Sequence, residues 1–262
     1  MTALSAARRR TDWRQFFQRY GLLLSFGLLC LALTAASPRF LTADNWLNIL
    51  RQSAINGIIS VGMMIVILTR GIDLSVGSIL ALATVIAADM IQRGWAPLPA
   101  LGLCLLVGAA AGMINGIMVS WARIPAFIAT LGMMTAARGL ALSYTEGRPI
   151  TGLGEGFRQI GTGFLGPIPM PIVIAALIFI GGYVVLNHTP LGRQIFALGD
   201  NQRAAHLTGL PVRGITILVY MISGAMAALA GSILMARLNS AAPTAGAGFE
   251  FDAIAAVVVG GT

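Results

Sequence analysis

The sequence predicts an all-α integral membrane protein, a polytopic helical bundle of about seven to eight membrane segments, some of them broken or re-entrant. Three observations carry this. Of 262 residues, 57% are AVILMFWYC and only 10% are Asp, Glu, Lys or Arg, and the mean hydropathy is +0.84. A soluble domain carries about 25% charged residues, so this chain has too few to cover a water-facing surface. Several apolar runs exceed the roughly 18 residues that mark a membrane helix. No series of alternating strands of about 10 residues, as in a membrane barrel, is visible.

A helix needs about 20 residues, at 1.5 Å each, to cross roughly 30 Å of hydrocarbon. Residues 20–36 make a first crossing between Arg19 and Arg39. Residues 37–53 open with a turn at Ser37-Pro38 and continue as an amphipathic stretch with Trp46, Leu47 and Leu50 on one side, expected to lie in the interface. The apolar stretch 54–91 is too long for one crossing and suits two, broken at Arg70-Gly71-Ile72-Asp73. Residues 97–145 repeat the situation, with a break at Arg123-Ile124-Pro125. Seven Gly and four Pro within 146–171 predict an irregular loop. A further span at 172–187 leads into the longest polar tract, 188–213. There Thr189-Pro190-Leu191 can start a helix, and Gly199-Asp200-Asn201 forms a turn and cap before 202–207, closed by Gly209 and Pro211. The tract is a connector or a docking surface for a cytoplasmic partner. A last long span covers 214–236, followed by a Gly/Ala-rich stretch with Glu250 and Asp252 and then an apolar run.

All 17 basic residues are Arg, which excludes a P-loop or Schiff-base lysine in this chain. If ATP is used, another polypeptide must bind it. The formal charge is +8, but the arginines are dispersed, and nucleic-acid binding is not expected. Arg8, Arg9, Arg10, Arg14 and Arg19 precede the first span, a signal for orientation in the membrane. With the N-terminus in the cytoplasm, ten arginines fall inside and seven outside, which favours that orientation and a cytoplasmic 188–213 tract. Cys30 and Cys104 lie in apolar runs as packing thiols, and no metal site or cofactor is indicated.

Asp73 is the most informative acid, because a carboxylate costs about 2.5–3.5 kcal/mol within a membrane helix. With Ser75 and Ser78 it stands where a helix restarts after Gly71. It is a helix cap at a tight membrane turn, paired with Arg70, or a substrate contact. Asp252 sits comparably after a Gly-rich break, which hints at two related halves. Gly108, Gly112 and Gly116 form overlapping GxxxG patterns suited to close helix packing. Asn115 beside them lines a polar path or bonds a neighbouring helix. Gly161-x-Gly163-x-x-Gly166 matches a dinucleotide fingerprint in letters only, since neither the strand before it nor the helix after it is present.

Several stretches resemble the permease subunits of bacterial ABC importers for pentoses and related sugars, the ribose-type permease family. They are Asn48-Ile49-Leu50-Arg51-Gln52, Thr69 through Ser78, Ile124 through Gly132, Thr189-Pro190-Leu191-Gly192-Arg193, Ala241 through Gly246, and Asp252 through Thr262. The arginine count makes residues 1–19 a cytoplasmic tail ahead of a single 20–262 permease domain, and the resemblance implies an inner-membrane location. It implies as partners a second permease copy or paralogue, cytoplasmic ATPase subunits, a periplasmic sugar-binding protein and the lipid bilayer. The subunit itself is then not an enzyme. The segment 199–210 is similar to the family's ATPase-coupling region, which points to Gly199, Asp200, Asn201, Arg203, Ala204, Ala205, His206 and Gly209. Asp200 stands where a small residue is common in the family and His206 where Arg is frequent. The family continues past Thr262 with more membrane helices, so the chain is expected to stop short of the family's C-terminus. Candidates to line the path are Asp73, Ser75, Ser78, Asn115, Asn239, Thr244 and Asp252. The alternative is a secondary transporter driven by an ion gradient, with Asp73 and Asp252 carrying protons. An intramembrane enzyme lacks a nucleophile–base pair.

Overall fold

The computed structural model describes residues 13–262, with side chains from Tyr20 onward. The expected tail 1–19 therefore lies largely outside the described residues, including Arg8, Arg9 and Arg10. Its last part is helical, since α1 spans Trp13–Ala36. The turn at 37–42 is closed by Asn45, whose Nδ2 donates to the Phe40 carbonyl at 2.9 Å, and by Phe40 and Trp46 rings 5.8 Å apart.

The order continues α2 (Ala43–Leu68), α3 (Val76–Gln92), α4 (Pro97–Ser120), α5 (Ala126–Thr145), β1 (Ile150–Thr151), α6 (Glu155–Thr162), β2 (Phe164–Leu165) and β3 (Ile168–Pro169). Then come α7 (Met170–His188), α8 (Pro190–Asp200), α9 (Gln202–Leu207), α10 (Val212–Leu238), β4 (Ser240–Ala241) and α11 (Phe249–Val259). Among the described residues, α2, α4, α5, α7 and α10 are long and apolar enough to cross a membrane. Tyr20–Ala36 and Val76–Gln92 are shorter apolar helices. At 17 residues, α3 is about 26 Å long, short of a full crossing.

Two expectations need correction. Residues 43–53 are not a separate interfacial helix but the first turns of α2, which continues without interruption to Leu68. Asn48, Arg51 and Gln52 lower the hydropathy there, yet none of them stops a helix, and polar side chains at a span's end reach headgroup depth. The stretch 146–171 is also more ordered than its Gly and Pro content suggests. It holds α6 and a β2–β3 hairpin that turns through Gly166 at φ 61°. Gly161 and Gly163 belong to the end of α6 and its cap, so the dinucleotide pattern has no fingerprint geometry.

Within residues 50–262, which cluster as one unit, the ends of the helices sort into two levels. At one level β1 pairs antiparallel with β4, Ile150 opposite Ala241, and Gln92 Nε2 donates to the Thr151 carbonyl at 2.8 Å. Tyr144 at the end of α5 meets Asp89 near the end of α3. At the other level lie residues 69–71, 119–126 and 198–216, which surround one cavity. Consecutive breaks thus alternate between the two ends, as crossings require.

The core is a close contact of α4 with α10. A Cβ at Gly108 would strike the Gly224 carbonyl and Ala228, one at Gly112 the Tyr220 carbonyl, and one at Gly116 would lie 2.6 Å from Ile217 Cα. The GxxxG glycines are therefore packing residues, letting two backbones touch where any side chain would part them. Cys104, fully buried on the same helix, donates Sγ to the Ala228 carbonyl at 3.5 Å. Leu177, Phe179, Ile180 and Tyr183 of α7 are 52–63% exposed, an apolar face suited to lipid.

Candidate translocation and coupling site

The break between α2 and α3 is built by local residues and then locked from outside. Arg70 adopts a left-handed φ of 61°, and the Gly71 N–H bonds back to the Val66 carbonyl at 3.1 Å. Gly71 sits tightly packed, since a Cβ there would lie 2.5 Å from the Tyr220 hydroxyl and 2.9 Å from Val66 Cγ1. Asp73 Oδ1 accepts from the Ser75 N–H at 3.0 Å and from Ser75 Oγ at 2.5 Å. Its Oδ2 accepts from Ser223 Oγ on α10 at 2.8 Å. Ser75 Oγ in turn accepts from Asn115 Nδ2 on α4 at 2.8 Å. Thr130 of α5 donates to the Ile72 carbonyl at 3.2 Å. Asp73, Ser75 and Asn115 are 0% exposed and Ser223 is 1% exposed. Asp73 is thus a turn acceptor and a tie between helices, and Ser75 is the residue that stands at the N-cap of α3. Pairing with Arg70 does not occur, because the Arg70 guanidinium donates to the Asp200 carbonyl instead, at 2.8 Å.

This knot gathers three of the seven path candidates, with buried Ser78 in the next turn of α3. Ser223 is a member that local sequence did not reveal, since it sits unmarked in the long apolar run of α10. Tyr220, one turn before it, is also fully buried, and its hydroxyl lacks a hydrogen-bond partner, as does Asn115 Oδ1.

The other candidates lie elsewhere. Asn239 closes α10 at a φ of 51°, its Oδ1 accepting from the Leu153 N–H at 3.0 Å and its carbonyl from the Gly152 N–H at 3.2 Å. Thr244 and Asp252 are exposed, and Asp252 accepts from Asn56 Nδ2 of α2 at 3.2 Å. Asp73 and Asp252 are not brought together. The acid that does approach α3 is Glu250, 7% exposed, with a carboxylate oxygen 2.8 Å from where a Gly77 Cβ would be. Gly77 and Gly246 meet backbone to backbone there, so the break before α11 rests on the first turn of α3. Arg138 of α5 fixes this second break, donating Nη1 to the Pro243 and Ala245 carbonyls at 2.7 and 2.8 Å.

The polar tract forms two helices. Thr189 caps α8 by accepting from the Gly192 N–H. Gly199 and Asp200 lie inside α8 rather than in a turn, and only Asn201 separates α8 from α9. Asn201 Oδ1 accepts from the Arg203 and Ala204 N–H groups at 3.0 and 3.1 Å, capping α9 as its letter suggests. The far end closes with the Leu210 N–H on the Ala205 carbonyl and Gly209 at φ 80°, the glycine-terminated helix stop. Between these caps only Ala205 is buried, while Arg203, Ala204 and His206 are exposed and Leu207 is 84% exposed. Caps rather than core burial order this helix, and its free face mixes charge with an apolar side chain. Gly199 rests so closely on the Leu68 carbonyl that a Cβ would collide with it.

A family model described as the permease component of branched-chain amino acid transport systems matches residues 45–262. The chain belongs to that family of membrane permease components. It is 46% identical over 261 residues to the ribose import permease of Bacillus subtilis, covering 99% of this chain and 81% of that protein. It is 48% identical over 239 residues to the ribose import permease of Haemophilus influenzae, covering 90% and 74%. The D-allose transport permease of Escherichia coli K12 is 36% identical over 260 residues, covering 98% and 80%. No solved structure matches the chain.

Proposed function

We propose that this chain is the translocation subunit of an ATP-driven importer for a ribose-like pentose or related monosaccharide. The single observation that carries the substrate class is the 44–48% identity to ribose import permeases across most of the chain. A periplasmic binding protein delivers the sugar, and a second permease copy or paralogue completes the path. ATP is hydrolysed on separate cytoplasmic subunits. The 1–19 tail and the α8–α9 end face the cytoplasm, within a single 20–262 permease domain in the inner membrane.

The ATPase docks on α9, through Arg203, Ala204 and His206, while Asn201, Ala205 and Gly209 hold that helix in shape. Two contacts connect this surface to the break in the membrane: Gly199 against the Leu68 carbonyl, and Arg70 on the Asp200 carbonyl. A displacement of α8–α9 is therefore felt where α3 begins. The Asp73–Ser75–Asn115–Ser223 knot ties that start to α4 and α10, so it moves as a unit between the two packings of alternating access. Ser78, Asn239, Thr244 and Asp252 are proposed to face the sugar at other stages. In this reading the buried knot serves as the hinge lock.

The test is copurification of the protein from membranes with its ATPase, followed by hydrolysis assays with sugar-loaded binding protein. Stimulation by a loaded binding protein, and not by an empty one, is the expected result. A protein that purifies alone and leaves hydrolysis unchanged would refute the assignment.

A further inference from the structure

The cavity at the α8–α9 end has a volume of about 1140 Å³ and an unbalanced lining: Arg70, Arg123, Arg203 and Arg213 against one acid, Asp200. Among the described residues the ion pairs are Arg93–Asp89 and Arg158–Glu155, so none of these four guanidiniums is neutralised by a carboxylate. Arg70 spends its hydrogen bond on a carbonyl, and Arg213 stacks on the Trp121 ring at 4.8 Å. Both Arg70 and Arg123 are held in left-handed backbone, at φ 61° and 56°, so two separate chain breaks place an arginine on the same cavity.

We propose that this cavity holds the phosphate-bearing headgroup of an anionic lipid. Its volume exceeds the roughly 300–1,000 Å³ usual for small-molecule sites, which suits a headgroup with part of its glycerol better than a free phosphate. Its wall runs through Ile124, Pro125 and Ala126 directly into Phe127 and Ile128, which are 54% and 58% exposed. Trp121, 63% exposed beside Arg213, is the aromatic type found at headgroup depth. Arginines for the phosphate thus adjoin apolar surface for acyl chains, the combination that basic pockets between membrane helices use for anionic headgroups. The inference goes beyond the transport reading and needs only that the Arg123 and Arg213–Trp121 side of the cavity meets a membrane surface, with Arg203 and His206 left to the proposed ATPase contact.

The test is native mass spectrometry of the full chain purified from mixed phosphatidylglycerol and phosphatidylcholine, comparing the wild type with Arg123→Gln/Arg213→Gln. The wild type is expected to retain phosphatidylglycerol preferentially. Two arginines near an anionic lipid surface are worth about tenfold or more in that preference, which the variant should lose. Should the double variant fail to fold, Arg123→Gln alone, which leaves the Arg213–Trp121 contact in place, carries the same test. Equal retention of the two lipids, or a preference unchanged in a folded variant, would overturn the proposal. Displacement of phosphatidylglycerol by millimolar inorganic phosphate would reassign the site to a free anion. Unchanged lipid retention with loss of ATPase copurification would reassign it to an acidic protein surface.

Discussion

Asp73 shows how much one side chain can disclose before its partners are known. A carboxylate after a glycine inside an apolar run marks a break, and Ser75 two positions on is the donor such a turn needs. Asn115, beside three glycines on a spaced face, was similarly visible as polar where helices touch. Ser223 was not, because a lone serine in an apolar helix gives no local signal when its partner is 150 residues away. Tyr220 was hidden for the same reason. The knot yields a sharp expectation. Asp73→Ala strips the acceptor from the Ser75 N–H and from two hydroxyls, and each buried donor left unpaired costs about 1–3 kcal/mol. Folded protein in the membrane and sugar uptake should then fall in parallel. Asp73→Asn keeps one carbonyl oxygen for Ser75 and offers an amide to the Ser223 oxygen, so it should retain much of the folded protein. Normal levels of Asp73→Ala without uptake would instead place Asp73 in the transport cycle itself, as hinge lock or sugar contact, rather than in folding. Quantitative immunoblotting beside radiolabelled uptake separates these outcomes.

At the scale of elements, the sequence announced the spans whose ends carry Gly, Pro or Arg, such as the stop before Ile124 and the caps of α9. It misplaced the start of α2, because hydropathy cannot tell a polar interfacial turn from a separate surface helix. It also missed the order in α6 and the hairpin, whose stability comes from contacts remote in sequence, such as Gly161 against the Ile233 carbonyl and the Arg237 N–H. The α4–α10 contact was legible as a pattern, and its partner was not. Gly112→Val should drive the helices apart at the Tyr220 carbonyl, and overpacking of this kind costs about 1–3 kcal/mol or more. A lowered melting temperature in detergent is the expected readout, whereas Gly132→Ala on α5, where a Cβ meets nothing within 4 Å, should leave it unchanged. For α9, Asn201→Ala removes a cap worth about 1 kcal/mol. Since α9 buries only Ala205, membrane insertion should be normal while sugar-stimulated ATP hydrolysis drops.

For the whole molecule, alternation of the breaks between two ends follows from a short list of punctuating residues, which is why the class of protein was readable early. The joining of distant breaks was not readable. Gly77 on Gly246, Arg138 on the Pro243 and Ala245 carbonyls, and Arg70 on Asp200 are each long-range contacts between segments that look unrelated in sequence. They tie the α8–α9 end and the break before α11 to the helices around the membrane breaks. The most direct test of this account is sugar uptake into proteoliposomes holding the permease, its ATPase and its binding protein. Uptake should require ATP on the ATPase side and persist when an uncoupler abolishes the proton gradient. Uptake that proceeds without ATP and collapses with the uncoupler would contradict the account and make the chain an ion-driven carrier.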